Sequence, residues 1–164
     1  MTEEVLIPDT SALIGGYTPN LEKNTQYIVP QILEEARSLS ARLKLETGIR
    51  SGQVKVKEPS PQAMEEVKKE VQKTNDRVSE TDTKILALAH ELKAEGKKPV
   101  IVTDDYAIQN LSEILEIKYS EVAKPGIDEI YKWKKECPAC GRVYSKDILK
   151  CEACGTRLIR KPED

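Results

Sequence analysis

Val5-Leu6-Ile7-Pro8-Asp9-Thr10-Ser11 is an apolar run that ends on a carboxylate. So short a run, rich in branched aliphatics and bounded by turn formers, reads as a buried strand of a parallel sheet rather than as an amphipathic helix. Asp9 then stands where the strand ends. In open α/β sheets the ligand crevice lies beyond the carboxyl ends of the strands, so an acid delivered there is placed for chemistry.

Pro99-Val100-Ile101-Val102-Thr103 repeats the pattern and delivers Asp104 and Asp105 as the first run delivers Asp9. Between the two, Tyr27-Ile28-Val29 is another short strand, and Pro30 sits where proline favours the first turn of a helix. From Gln31, the apolar residues Ile32, Leu33, Ala36, Leu39 and Leu43 recur at helical spacing, which predicts one amphipathic helix ending at Gly48. Val54 and Val56 alternate with lysines, as in an exposed edge strand. Ser60-Pro61 opens a charged helix to Lys73, whose narrow apolar stripe predicts loose attachment to the body, and residues 73–80 read as a mobile connection. A further helix starts at Ser79-Glu80-Thr81-Asp82 and ends at Gly96. After the acid pair come a helix over 106–115 and a strand near 117–119. This alternation predicts a parallel sheet with helices on both faces.

A chain of 164 residues has room for one domain with a real core and a small appendage. Its formal net charge of -2 hides an asymmetry. Residues 132–161 hold nine basic and three acidic side chains, net +6, whereas residues 1–131 are net -6. An acidic body with a basic tail suggests a cation site in one part and an anionic partner for the other. No segment approaches the roughly 20 apolar residues of a membrane span, and the N-terminus lacks the basic and apolar regions of a signal peptide, so a cytoplasmic location is expected.

All four cysteines follow residue 136, as Cys137-Pro-Ala-Cys140-Gly141 and Cys151-Glu-Ala-Cys154-Gly155. Two such knuckles bring four thiolates into a tetrahedron, and the glycine after each pair accommodates the turn around sulfur. Structural zinc on Cys137, Cys140, Cys151 and Cys154 is the expectation, with a redox role for the CxxC pairs as the alternative. Around them stand Lys132, Lys134, Lys135, Arg142, Lys146, Lys150, Arg157, Arg160 and Lys161, suited to salt-dependent contacts with a phosphate backbone. Trp133 and Tyr144 are candidates for stacking on unpaired bases. For Trp133, anchoring the ribbon to the body is the preferred reading. His90 lies mid-helix with no partner pattern and receives no catalytic role.

The acids that topology brings to one rim are Asp9, Glu35, Asp82 and one or both of Asp104 and Asp105. Hard oxygen ligands without histidine or cysteine select Mg²⁺ or Mn²⁺. The competing reading makes Asp82 and Asp104 helix caps and Glu34 a solvated acid favoured by the helix dipole.

Val5 to Leu13, Val29 to Ala36, Ser79 to Ala89 and Val102 to Asn110 resemble, in order and spacing, the successive motifs of PIN-domain ribonucleases. Thr103-Asp-Asp-Tyr-Ala-Ile-Gln-Asn110 followed by a four-cysteine ribbon is similar, more narrowly, to the Nob family in its compact archaeal form. The resemblance implies an α/β fold with a PIN-like parallel sheet flanked by helices and a small C-terminal zinc ribbon. The expected division is a PIN domain over 1–122, a linker over 123–135 and the ribbon over 136–161. The implied activity is metal-dependent endonucleolytic cleavage of precursor small-subunit (16S) rRNA at its 3′ end, leaving 5′-phosphate and 3′-hydroxyl termini. The implied partners are that RNA, the pre-ribosomal particle and other assembly factors. Asp9, Glu35, Asp82 and Asp104 or Asp105 would hold Mg²⁺ or Mn²⁺, with the hydroxyls of Thr10, Ser11 and Thr103 supporting them. Asn110 is read as a helix-surface or packing residue. A non-catalytic RNA-binding assembly factor is the alternative; a toxin-like PIN nuclease is disfavoured by the ribbon and by Gln109-Asn110.

Overall fold

The computed structural model describes residues 3–14, 17, 23–122, 133–145 and 148–162. Gly15, Gly16, Lys132, Lys146 and most of the expected linker lie outside the described residues. Strands β1 (Glu4–Pro8), β2 (Gln26–Ile28), β3 (Val54–Val56), β4 (Lys98–Val102) and β5 (Lys118–Ser120) form a parallel sheet in the order β3-β2-β1-β4-β5. The helices between them are α1 (Thr10–Ile14), α2 (Pro30–Glu35), α3 (Leu39–Arg50), α4 (Pro61–Thr74), α5 (Glu80–Ala94) and α6 (Tyr106–Ile114). A second, antiparallel sheet combines β6 (Trp133–Glu136), β7 (Val143–Tyr144) and β8 (Ile159–Pro162) in the order β7-β6-β8.

The two apolar runs identified in the sequence are the central pair of the parallel sheet. Val5, Ile7 and Ile101 are wholly buried, each contributing roughly 1.5–3 kcal/mol relative to an exposed side chain. The connection leaves β1 toward β2 on one side, while β4 pairs with β1 on the other. The chain therefore changes direction between β1 and β4, where an open sheet forms its crevice. Pro8 lies opposite Val102, and the Asp9 N–H extends the ladder by donating to Val102 O at 3.1 Å.

Three local expectations are corrected. The single helix expected from Gln31 breaks in two: Ala36 leaves helical geometry (ψ 89°), and Ser38 restarts the helix by accepting from the Ala41 N–H at 3.1 Å. A serine inside an apolar period caps a new helix because its hydroxyl satisfies a first-turn amide. Gly48 does not end α3, which runs on to Arg50. Gly48 is a contact glycine instead; a β-carbon there would stand 2.6 Å from Val54 Cγ2, so α3 lies close on β3 only because none is present. Nor is α4 loosely attached. Ala63 and Val67 are buried against α5, and the chain just before α4 is tied to α5 by Lys84–Glu58 at 2.7 Å and Ser60 N–H to Glu91 at 3.3 Å. Among the described residues, no helix is long and apolar enough to cross a membrane.

Candidate active site and metal centre

Asp9 forms the floor of the rim, only 2% exposed. Its Oδ1 accepts from Ser11 Oγ at 2.7 Å and from the Ala12 N–H at 2.8 Å, and its Oδ2 accepts from Thr103 Oγ1. Burial pushes the Asp9 carboxyl above its ordinary value, partly offset by these donors, and the charge of Asp82 pushes in the same direction. Asp82 is also raised, first by burial and further by the charges of Asp105 and Glu35. Four carboxylates from the ends of β1, α2, β4 and the start of α5 thus act on one another across one rim.

Hydroxyl groups hold this arrangement. Glu35 accepts from Thr10 Oγ1 at 2.6 Å and from Thr81 Oγ1 at 2.7 Å, which pins its carboxylate between α1 and α5. Thr103 donates to Asp9 and accepts from the Asp105 N–H at 3.0 Å; Ser11 donates to Asp9 and accepts from the Asp104 N–H at 3.1 Å. Thr10, Ser11 and Thr103 were anticipated from the sequence. Thr81 was not, although a threonine one residue before Asp82 was the available signal.

Of the two acids read as possible caps, Asp82 caps a helix and Asp104 does not; the cap of α6 is Asp105. Asp82 and Ser79 form a reciprocal capping box, and Asp105 Oδ1 accepts from the N–H groups of Ala107 at 2.8 Å and Ile108 at 3.4 Å. A cap uses part of a carboxylate's acceptor capacity and fixes its direction, so it is compatible with ligation by the remaining lone pairs. Asp104 is buried, and its Oδ1 accepts from the Val122 N–H at 2.8 Å, tying the segment after β5 to the sheet. Glu34 is exposed.

The donor set on the rim is all carboxylate, which fits a hard divalent cation, and the raised Asp9 and Asp82 carboxyls show a cost, of burial first and of like charge second, that such an ion relieves. The acids stand wider apart than the ligand atoms of a closed cage. Among the described residues, only the cysteines bring three or more ligand atoms within 4.8 Å of one another. An ion held by such a ring would keep places for water and a phosphate oxygen.

The cysteines, all free thiols, lie with sulfurs 3.4 Å (Cys137 to Cys154), 3.6 Å (Cys140 to Cys151) and 3.9 Å (Cys140 to Cys154) apart. A tetrahedron with metal–sulfur bonds of about 2.3 Å requires sulfurs about 3.8 Å apart, so the cluster is compatible with a zinc ribbon. Gly141 and Gly155 have φ of +75° and +74°, the left-handed turns expected after each knuckle. Tyr144 contributes something the sequence did not suggest: its hydroxyl lies 3.1 Å from Cys151 Sγ and accepts from the Glu152 N–H at 3.2 Å. That hydroxyl, aided by the Cys154 and Ala153 N–H groups, draws the Cys151 thiol down to about 6.

Trp133 anchors the ribbon, as preferred. Its indole N–H donates to buried Asp76, whose other oxygen accepts from Asn110 Nδ2 at 3.0 Å; Asn110 is therefore a packing residue. Arg160 lies over the Trp133 ring at 4.4 Å and donates to Asn75 O at 2.6 Å, while Asn75 Nδ2 donates to Trp133 O at 3.2 Å. Residues 73–80, expected to be a mobile connection, thus carry the contact surface for the ribbon. Of the anticipated RNA-binding cations, Lys150 and Arg157 face each other across an isolated bridge and are exposed, as is Arg142. Lys134 lies on β6 opposite Lys161, which pairs with Glu136 at 3.0 Å, and Lys135 Nζ donates to Ile148 O at 3.0 Å.

The family described as the PIN domain of ribonuclease matches residues 6–92. Endoribonuclease Nob1 of Methanothermobacter thermautotrophicus is 39% identical over 158 residues, covering 93% of this chain and 90% of that protein. Endoribonuclease Nob1 of Pyrococcus abyssi is 38% identical over 92% of this chain and 89% of its own length, and that of Methanocaldococcus jannaschii is 34% identical over 96% and 78%. A parallel sheet with acids at its switch point, a four-cysteine ribbon and relatives matched along nearly the whole chain lead to one conclusion: the protein belongs to the Nob1 family of PIN-domain endoribonucleases.

Proposed function

We propose that this endoribonuclease cuts precursor small-subunit (16S) rRNA at its 3′ end, within the pre-ribosomal particle and in the cytoplasm. Asp9, Glu35, Asp82 and Asp105 hold Mg²⁺ or Mn²⁺, and Cys137, Cys140, Cys151 and Cys154 hold structural zinc. The observation that carries the reading is the convergence of these four acids, each braced by a hydroxyl or a helix-start amide, on the crevice between β1 and β4. Asp105 is preferred to Asp104 because its charge acts on Asp82, whereas an Asp104 oxygen is committed to the Val122 amide. The proposed division is a PIN domain over 1–122, a linker after it and a ribbon over 136–161, with residues 133–135 of the expected linker joining the ribbon's sheet as part of β6.

The bound cation supplies charge neutralisation at the phosphodiester and a more acidic attacking water. The protein's part is preorganisation. Thr103, Ser11 and the Ala12 amide orient Asp9 at the floor, and Thr10 and Thr81 fix both oxygens of Glu35, so neither acid reorganises as charge builds on the phosphoryl and leaving oxygens. The basic ribbon, latched to the body through Trp133, holds the RNA backbone while the acidic body cuts.

The test is cleavage by the purified protein, with Mn²⁺, of an RNA spanning the small-subunit 3′ end. Asp9→Asn should abolish cleavage while the unfolding transition persists. Cleavage by that variant, or none by the parent, would exclude the catalytic assignment and favour a non-catalytic assembly factor.

A further inference from the structure

We infer that the cleft between α1 and the start of α3 binds the single-stranded RNA adjoining the scissile phosphodiester, with Arg37 and Lys44 as its phosphate contacts; this rests on the ribonuclease reading above. The cleft has a volume of about 950 Å³, and its lining includes Thr10, Leu13, Glu35, Arg37, Ser38 and Lys44. One end is the hydrogen-bonded pair Thr10 and Glu35, part of the acid rim, so whatever fills the cleft reaches the edge of the cation site.

The charge arrangement selects a polyanion. Residues 1–131 are net -6, so RNA approaching the body meets a repulsive field unless cations offset it locally. Several described cations of the body are spent on carboxylates of the protein itself: Lys57 on Glu95, Lys84 on Glu58, Lys73 on Glu70. Arg37 and Lys44 make no ion pair or side-chain hydrogen bond among the described residues. Glu34 and Glu35 line the same cleft, yet neither comes within the 4.0 Å of an ion pair with them. Two unneutralised cations on the wall of a cleft that ends at a phosphodiester-cutting rim are placed for the phosphates beside the cut.

An unpaired strand fits better than a duplex. Asp9 at the floor is 2% exposed, so the scissile phosphate has to turn inward, which a flexible single strand does readily. Leu13 and Ala36 give the cleft an apolar wall for a base, and only an unstacked base can use it.

The experiment uses the full chain with Mn²⁺ and an end-labelled RNA spanning the small-subunit 3′ end, comparing the parent, the double variant Arg37→Gln/Lys44→Gln and the charge-keeping double variant Arg37→Lys/Lys44→Arg. The Gln variant should lose about 10-fold in kcat/KM, mainly through KM. Its log–log salt slope should fall by about 1.4, the value for two single-strand phosphate contacts. The charge-keeping variant should recover most of both. An unaltered KM and salt slope in the Gln variant, or no recovery in the charge-keeping one, would overturn the cleft assignment. If the parent does not cleave, the ribonuclease reading fails, and the cleft is judged by fluorescence anisotropy of the same RNA without Mn²⁺: a weaker, less salt-dependent complex in the Gln variant supports it, and equal binding overturns it. A blunt RNA duplex losing as much affinity as the single strand would overturn the single-strand assignment.

Discussion

The indole N–H of Trp133 donates to Asp76 Oδ1 at 2.7 Å, joining the first strand of the ribbon to a buried carboxylate of the body. With the hydrogen bonds of Asn75 to Trp133 O and of Arg160 to Asn75 O, it bolts together two sheets that share no strand.

Because Trp133 is the only tryptophan in the chain, tryptophan fluorescence reports on the surroundings of that one side chain. Asp76→Ala removes the acceptor for both Trp133 and Asn110 and should cost roughly 1–3 kcal/mol. The emission should shift to the red and become more accessible to acrylamide as the indole meets water. An unshifted spectrum would mean that the carboxylate does not hold the ribbon in place.

Gly48→Ala should destabilise the body by about 1–3 kcal/mol, because the added methyl group meets Val54 at 2.6 Å. Urea unfolding is the measurement. Val54→Ala in the same chain should recover part of the loss, and a lack of coupling between the two would mean that α3 and β3 do not touch there.

The Asp9 and Asp82 carboxyls are raised above their ordinary value of 3.8, chiefly by burial. The folded protein therefore holds protons that the unfolded chain releases, so both acids lower stability as pH climbs from about 3.8 through their raised values. In chelator, Tm should fall across the weakly acidic range for this part of the titration. Adding Mn²⁺ at pH 7 should raise it. Asp9→Asn, which removes one of the two charges, should raise the metal-free Tm at pH 7 by a few degrees, the size expected for about 1 kcal/mol. A lower Tm for Asp9→Asn in chelator would contradict the crowding of charge described above.

Tyr144→Phe keeps the ring and removes the hydroxyl beside Cys151 Sγ. Outer partners of this kind are worth roughly 10-fold in metal affinity. Zinc release to a chromophoric chelator should accelerate by about that factor, with the far-UV spectrum of the loaded protein retained. Release at the parent's rate would leave Tyr144 with packing alone.

The features legible in the chain are those in which neighbouring residues carry the whole signal. Buried parallel strands are continuous apolar runs, so β1 and β4 and the acids after them stood out, and ligand spacing within each knuckle named the four cysteines. What escaped depends on residues far apart. Ser38 looked like one more polar position in a helical period until Ala36 left the helix. Gly48 read as a stop because Val54, which needs its missing side chain, lies on the next strand. Asp76 sat in a polar stretch with nothing to show that Trp133 and Asn110 would reach it. Arg37 and Lys44 acquire meaning only beside the cleft. The choice between Asp104 and Asp105 could not be made from alternation along a strand, because both follow β4, and Val122 distinguishes them only in space.

The register of Pro8 opposite Val102 sets Asp9 and Thr103 at the ends of adjacent hydrogen-bonded strands. Their separation is therefore governed by the interstrand repeat of about 4.8 Å, a backbone constant, and not by any loop. The two halves of the acid rim are ruled like lines on the same sheet of graph paper. The segment between β2 and α5 can lengthen, shorten or change partners without moving the pitch at which Asp9 and the Thr103-Asp104-Asp105 turn face each other.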